Sequence, residues 1–274
     1  MTDGNAMAKM IDALGPWHES VVLVGGWAHR LHRLHPGARV PKYAAVVTRD
    51  ADLAFDTAKR IQGDIAAALQ VAGFEKKPSG EHVPPVSHFQ FGEEDEGFYV
   101  EFLTPLRGSS THRDGTDKAT ASAAGVTAQK LRHLEVLLTA PWKIDLRPSE
   151  ELPVTKASQL LVANPVSFIV QKLLIHHVMR ESKKAQDMLY IHDTLELFRA
   201  SLEELKLLWQ EKVSPSLTDK VRAATLERAH QLFLAVSDPI RNAIRIPGDR
   251  RLDPDEFRQR CEVGLAELFA PPQV

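Results

Sequence analysis

The chain has 274 residues, 43% of them apolar and 26% charged, which suits one large globular domain or two modest ones. Its formal charge of −2, from 34 basic and 36 acidic residues, disfavours a protein that coats nucleic acid non-specifically but leaves room for a locally basic cleft. No run approaches the roughly 18 apolar residues of a membrane helix, and Met1 to Met10 lacks the pattern of a secretory signal. The single cysteine, Cys261, excludes an internal disulfide and a cysteine-based zinc site. The expectation is a cytoplasmic protein with no membrane partner.

In chain order, Ala6 to Leu14 reads as a short amphipathic helix. Val21 to Val24 is an apolar run expected of a strand buried on both faces, broken by Gly25-Gly26. Trp27 to Leu34 reads as a helix stopped by Pro36-Gly37, and residues 36 to 48 as a loop. Ala51 to Phe55 alternates as a strand, and Thr57 to Ala72 carries helical periodicity up to Gly73. Val86 to Phe91 and Phe98 to Leu103 form a hairpin around an acidic turn. The Ser-, Thr-, Gly- and Ala-rich stretch from Gly108 to Gly125 reads as a mobile surface loop. Leu134 to Leu138 and Trp142 to Leu146 read as a further pair of strands.

From Asn164 the pattern turns helical. Asn164-Pro165 and Asp253-Pro254 are both N-cap-plus-proline starts. Helices are expected near Val166–Val178, Ala185–Ala200, Leu202–Lys212, Thr218–Val236 and Pro254–Leu268. The fold class is therefore α/β (α+β): a mixed sheet with flanking helices over residues 1 to 150, then a helical domain from 151 to 274 closing over it.

The chemistry concentrates between Val21 and Phe55. Residues i and i+2 of a strand point the same way, so Asp50 and Asp52 present two carboxylates to one side, about 7 Å apart. Two such groups repel unless a cation sits between them, and oxygen ligands on a hard divalent ion suit Mg²⁺. The Gly25-Gly26 turn lets the backbone approach a phosphate, and the helix after it aims free N–H groups at that anion. Metal and triphosphate side by side make a site for nucleotide transfer.

The order Gly-Gly, about two dozen residues, then Thr48-Arg49-Asp50-Ala51-Asp52-Leu53 resembles the polymerase-β-type nucleotidyltransferase superfamily. Within it the chain is similar to bacterial minimal nucleotidyltransferases and AbiEii-type toxins, over residues 21 to 105 best and more loosely over Gln171 to Phe198. The resemblance implies an enzyme moving a nucleoside monophosphate from an NTP such as ATP to a hydroxyl acceptor. That acceptor would be a tRNA 3′ end, a protein or a small molecule, and an antitoxin would be a further partner. It implies Mg²⁺, or Mn²⁺ in its place, on Asp50, Asp52 and a third carboxylate at Glu101, which would orient or deprotonate the attacking hydroxyl. Gly25, Gly26, Thr48 and Arg49 would hold the nucleotide. Two positions depart from the pattern. The serine that often follows the first glycine is Gly26, and the arginine two residues before the Thr is Val46, leaving Arg39, Lys42 or Arg49 to take its place.

Each feature also has a plainer reading. Asp-x-Asp pairs are common at solvated strand ends, and a lone Glu in an alternating strand is often its exposed face. Asp56 sits at a strand end and is expected to cap the helix near Thr57. Lys172, His176, Arg180, Lys184 and Asp187 fall at near-helical spacing; they form either a basic wall, with Arg180 and Lys184 on the nucleotide, or a solvated face with local ion pairs. His29, His32 and His35 are read as a partly exposed helix surface rather than a metal face. His192-Asp193 is similar to the pair of metal phosphohydrolases but lacks an obvious further ligand set. Ser109 to His112 lacks a nucleophile-elbow context. A non-catalytic nucleotide- or partner-binding module on the same fold is the alternative to the enzyme.

Overall fold

The computed structural model describes residues 2–46, 48–80, 82, 84–93, 97–109, 111 and 118–271. The chain forms two compact units. One comprises Met1–Leu34 with Val47–Ala163, the other His35–Val46 with Asn164–Val274. Among the described residues no helix is long and apolar enough to cross a membrane.

The first unit is a mixed sheet with helices packed on it. Its strands are β1 (Val22–Val24), β2 (Asp50–Ala54), β3 (Glu75–Ser79), β4 (Val86–Phe91), β5 (Phe98–Pro105), β6 (Thr120–Ala123), β7 (Val126–Leu131), β8 (Trp142–Leu146) and β9 (Ser158–Val162). The order across the sheet is β3-β4-β5-β2-β1-β9-β8. β2 runs parallel to β5 and antiparallel to β1. β7 joins β5 in parallel at Leu103 to Pro105, and β6 folds back onto β7.

Strand alternation decides which side chains meet which layer. Leu23, Ala51, Leu53, Val100 and Phe102 face a core shared with α1 (Asp3–Ala13), α2 (Gly25–Leu31) and α3 (Ile65–Val71). Met7, Met10, Trp27, Ala28 and Leu69 are the helical side of that core. The opposite face carries a smaller apolar cluster, in which Val22, Val24, Ala54 and Leu103 meet Leu134 and Leu137 of α4 (Leu134–Leu137). The carboxylate-bearing positions of β2 and β5 alternate with the main-core residues, so they stand on this second face.

Several local expectations are corrected. The helix expected over Thr57 to Ala72 forms only from Ile65, where Asp64 caps it by accepting the Ala67 N–H at 2.9 Å. Before it, Asp56 does not cap a helix. It accepts the Ala58 N–H at 3.0 Å in a local turn, and Gly63 takes φ +87°, which ends any continuous helix there. Leu134–Leu137 is a helical turn rather than a strand; β8 pairs instead with β9, which periodicity did not reveal. The expected loop from Gly108 to Gly125 falls partly on residues outside those described, 110 and 112–117, which include half of the Ser109–His112 segment, while Thr120–Ala123 is a strand. His29 and His32 are 1% and 0% exposed rather than surface residues. A carbonyl can only accept, so His32 Nε2 carries the proton in its 2.7 Å bond to the Ala163 oxygen.

The second unit is helical: α5 (Pro165–Ile175), α6 (Glu181–Leu197), α7 (Leu202–Leu208), α8 (Ser214–Ser216), α9 (Asp219–Gln231), α10 (Asp238–Ala243) and α11 (Pro254–Leu268). Both proline starts cap as the sequence implies. Asn164 accepts from the Ser167 N–H at 2.8 Å, and Asp253 from Asp255 and Glu256. Residues 35–46 form an irregular strap fastened to these helices. Arg39 N–H donates to the Leu197 carbonyl at 2.8 Å, Ser201 Oγ to the Gly37 carbonyl at 2.6 Å, and Ala44 N–H to Asp249 at 2.7 Å.

Candidate active site

The register of five strands assembles the site. Asp52 lies opposite Val24 of β1 on one side and Glu101 of β5 on the other. Glu101 in turn lies opposite His88 of β4, and His88 opposite Lys77 of β3. Directly paired residues share a face of the sheet, so Asp52, Glu101, His88 and Lys77 form one row, each step about 5 Å wide. Asp50, Tyr99 and Gln90 form the next row on the same face. The three carboxylates singled out in the sequence thus belong to adjacent positions of two neighbouring strands. His88 and Lys77 were not singled out, although a hairpin pairing Phe91 with Phe98 necessarily sets His88 against Glu101.

Gly25 closes the row on the β1 side. Its φ is +68°, and a Cβ built there would fall 2.1 Å from Asp52 Oδ2 and 3.1 Å from its Cγ. The glycine is therefore required twice, by its backbone angle and by the carboxylate against it. Asp50 is exposed and Asp52 half-buried. Thr48 and Arg49 lead into β2. The Asp50 N–H reaches Thr48 Oγ1 at 3.4 Å, and the Arg49 carbonyl accepts from Tyr99 N–H at 2.9 Å, extending the ladder. Glu101 Oε1 is 3.1 Å from His88 Nδ1, and the His88 ring lies 4.7 Å from that of Tyr99.

Among the described residues no three His, Cys, Asp or Glu side chains converge into a ready metal cage. Mg²⁺ does not need one. It is usually held by one or two carboxylates and completes its shell with water and substrate phosphates. Asp50 and Asp52, two hard oxygen donors on one face with a glycine beside them, fit that description.

The remaining candidates lie in the helical unit. The near-helical row from Lys172 to Asp187 is not one helix face, because the chain breaks at Met179-Arg180. Arg180 is the exposed residue before α6. Lys184 Nζ bonds Glu181 at 2.7 Å across one turn. Lys172 instead pairs with buried Asp187 at 2.7 Å, between the rings of Phe168 and Tyr190. His192-Asp193 is taken up in packing. His192 stacks on Phe257 at 4.4 Å, and Asp193 accepts from His192 at 2.9 Å and from Arg250 at 2.6 Å. Burial pushes the Asp193 carboxyl up, but the hydrogen bonds from His192 and Arg250, together with the charges of those two residues, outweigh it and leave it below the usual carboxylate range. With both oxygens engaged and no further ligands among the described residues, the phosphohydrolase reading is set aside.

A family model described as nucleotidyltransferase matches residues 3–214. No curated protein matches the chain. Among solved structures, the nucleotidyltransferase toxin MenT4 of Mycobacterium tuberculosis is similar at 13% identity and a TM-score of 0.45, over 97% of this chain and 82% of that one. A match spanning most of the chain, from α1 through α7, places this protein in the nucleotidyltransferase family.

Proposed function

We propose that this nucleotidyltransferase moves a nucleoside monophosphate from an NTP to a hydroxyl acceptor with Mg²⁺, or Mn²⁺, at Asp50 and Asp52. The observation that carries the reading is the row in which Asp52 stands between Gly25 and Glu101. Bound metal would neutralise phosphate charge as it develops. Gly25 and Gly26 leave backbone room for the triphosphate, with Thr48 and Arg49 at the entrance to β2. Glu101, alone or as a third metal ligand, takes the proton of the attacking hydroxyl. The acceptor oxygen then bonds to the α-phosphorus, the bond from that phosphorus to the bridging oxygen breaks, and pyrophosphate leaves. A tRNA 3′ end, a protein side chain and a small molecule all supply such a hydroxyl, and the resemblance to toxins favours the first, with an antitoxin as partner. A cytoplasmic location fits NTP supply and the single cysteine.

The test is label transfer. The protein is incubated with each α-³²P-NTP, Mg²⁺, total RNA and cell extract, beside Asp50→Ala. Label on RNA or protein that is absent with Asp50→Ala supports the reading. Absence of transfer to every acceptor by a folded wild-type protein overturns it.

A further inference from the structure

We propose that His88 is a positioning residue for Glu101, fixing the carboxylate that receives the acceptor's proton. The inference rests on the transfer reading above and goes beyond it by adding a residue outside the acidic set.

A carboxylate only accepts hydrogen bonds, so the 3.1 Å contact requires the proton on His88 Nδ1. The geometry restrains both partners. His88 and Glu101 are directly paired across β4 and β5, so their backbones are locked by the ladder. The His88 side chain is 20% exposed and its ring rests on Tyr99, which restricts its rotation. Glu101, at 38% exposed, is the freer side chain and has three rotatable bonds of its own. A bond from a restrained imidazole to one oxygen leaves the other oxygen as the base. It also places the acceptor's approach on the side of the row away from Gly25, where His88 and Lys77 continue toward the sheet edge.

The test uses three variants that separate a positioned N–H from mere bulk. Asparagine places an amide N–H near the Nδ1 position, glutamine places one near Nε2, and alanine places none. His88→Ala and His88→Gln are expected to lower kcat by roughly ten- to a hundredfold, the cost of a misplaced base, with the KM for NTP unchanged. His88→Asn is expected to stay within about threefold of wild type. Imidazole ¹⁵N NMR of the metal-free protein gives a readout independent of turnover: His88 should show the Nδ1–H tautomer, and Glu101→Ala should return it to Nε2–H. Wild-type kcat in His88→Ala, or an Nε2–H tautomer in the wild type, overturns the proposal while leaving the transferase intact. So does His88→Asn falling as low as alanine. Absence of transfer by the wild type overturns the functional reading and this proposal with it.

Discussion

Gly25 and Asp52 occupy space that only one side chain can fill: the carboxylate Oδ2 lies 2.1 Å from where a Gly25 Cβ would be. Gly25→Ala must therefore push Asp52 aside or shift the start of α2. The positive φ adds a backbone cost of about 1 kcal/mol. The expected result is a large fall in kcat with a melting temperature lowered by only a few degrees. Unchanged kcat would show that Asp52 tolerates displacement and does not hold the metal.

Asp52→Asn keeps the size of the side chain and removes its charge. If the pair binds metal, transfer should drop on the order of a thousandfold, equivalent to several kcal/mol of lost charge stabilisation. Thermal stabilisation by Mg²⁺ with NTP should vanish together with activity. Stabilisation that survives in this variant would point to metal-independent nucleotide binding.

Asp56 and Arg107 form two parallel bonds of 2.8 Å beside a cavity of about 470 Å³ floored by Val22, Phe55 and Leu161. The Arg107 hydrogen bonds, working against partial burial, hold the Asp56 pKa at about 2, below the usual 3.8. A depressed carboxylate pKa contributes stability above the unfolded value, and that contribution is lost as pH falls through the folded value. Because Arg107 is 57% exposed, solvent screening reduces the worth of the pair to about 1 kcal/mol. Asp56→Asn should show that deficit in urea unfolding at neutral pH. The gap from wild type should narrow as pH drops from 3.8 toward 2 and shrink in high salt.

Arg250 pairs with Asp193 and lies 3.4 Å from the centre of the Tyr43 ring. The Tyr43 hydroxyl is pushed up to about 12, chiefly by burial and then by the Asp193 charge. Arg250→Ala strands a buried carboxylate and should destabilise the helical unit by about 3–5 kcal/mol. Limited proteolysis should then cut within residues 35–46, which Arg250 and its neighbour Asp249 secure. An uncut strap in this variant would mean that the bonds from Arg39 and Ser201 suffice.

That Asp50 and Asp52 share one side of a strand was legible in the sequence because alternation needs no tertiary knowledge, whereas Glu101 was named only through the resemblance to a known superfamily. The mutual placement of the three was not legible. It depends on β2 pairing in parallel with β5, a contact between segments nearly fifty residues apart. His88 became visible only with the hairpin register. The helix expected from Thr57 failed because Asp56 and Gly63 impose turns that apolar periodicity does not record. β9 escaped because a short strand and a short loop share the same composition. The His29–His32 pair was misplaced because polar side chains can be buried when the backbone supplies a partner, as Ala163 does for His32.

The strap gives this protein an unusual response to shortening. Residues 35–46 sit in the linear sequence just ahead of β2, yet their anchors, Leu197, Ser201, Asp249 and Arg250, are all encoded more than 150 residues later. A chain cut back to the sheet would retain Asp50 and Asp52 while leaving the segment that leads into them untethered. Trimming toward a minimal enzyme should therefore erode the order of the carboxylate strand from its upstream end, and a gene fragment covering the sheet alone is a poor unit for recombination.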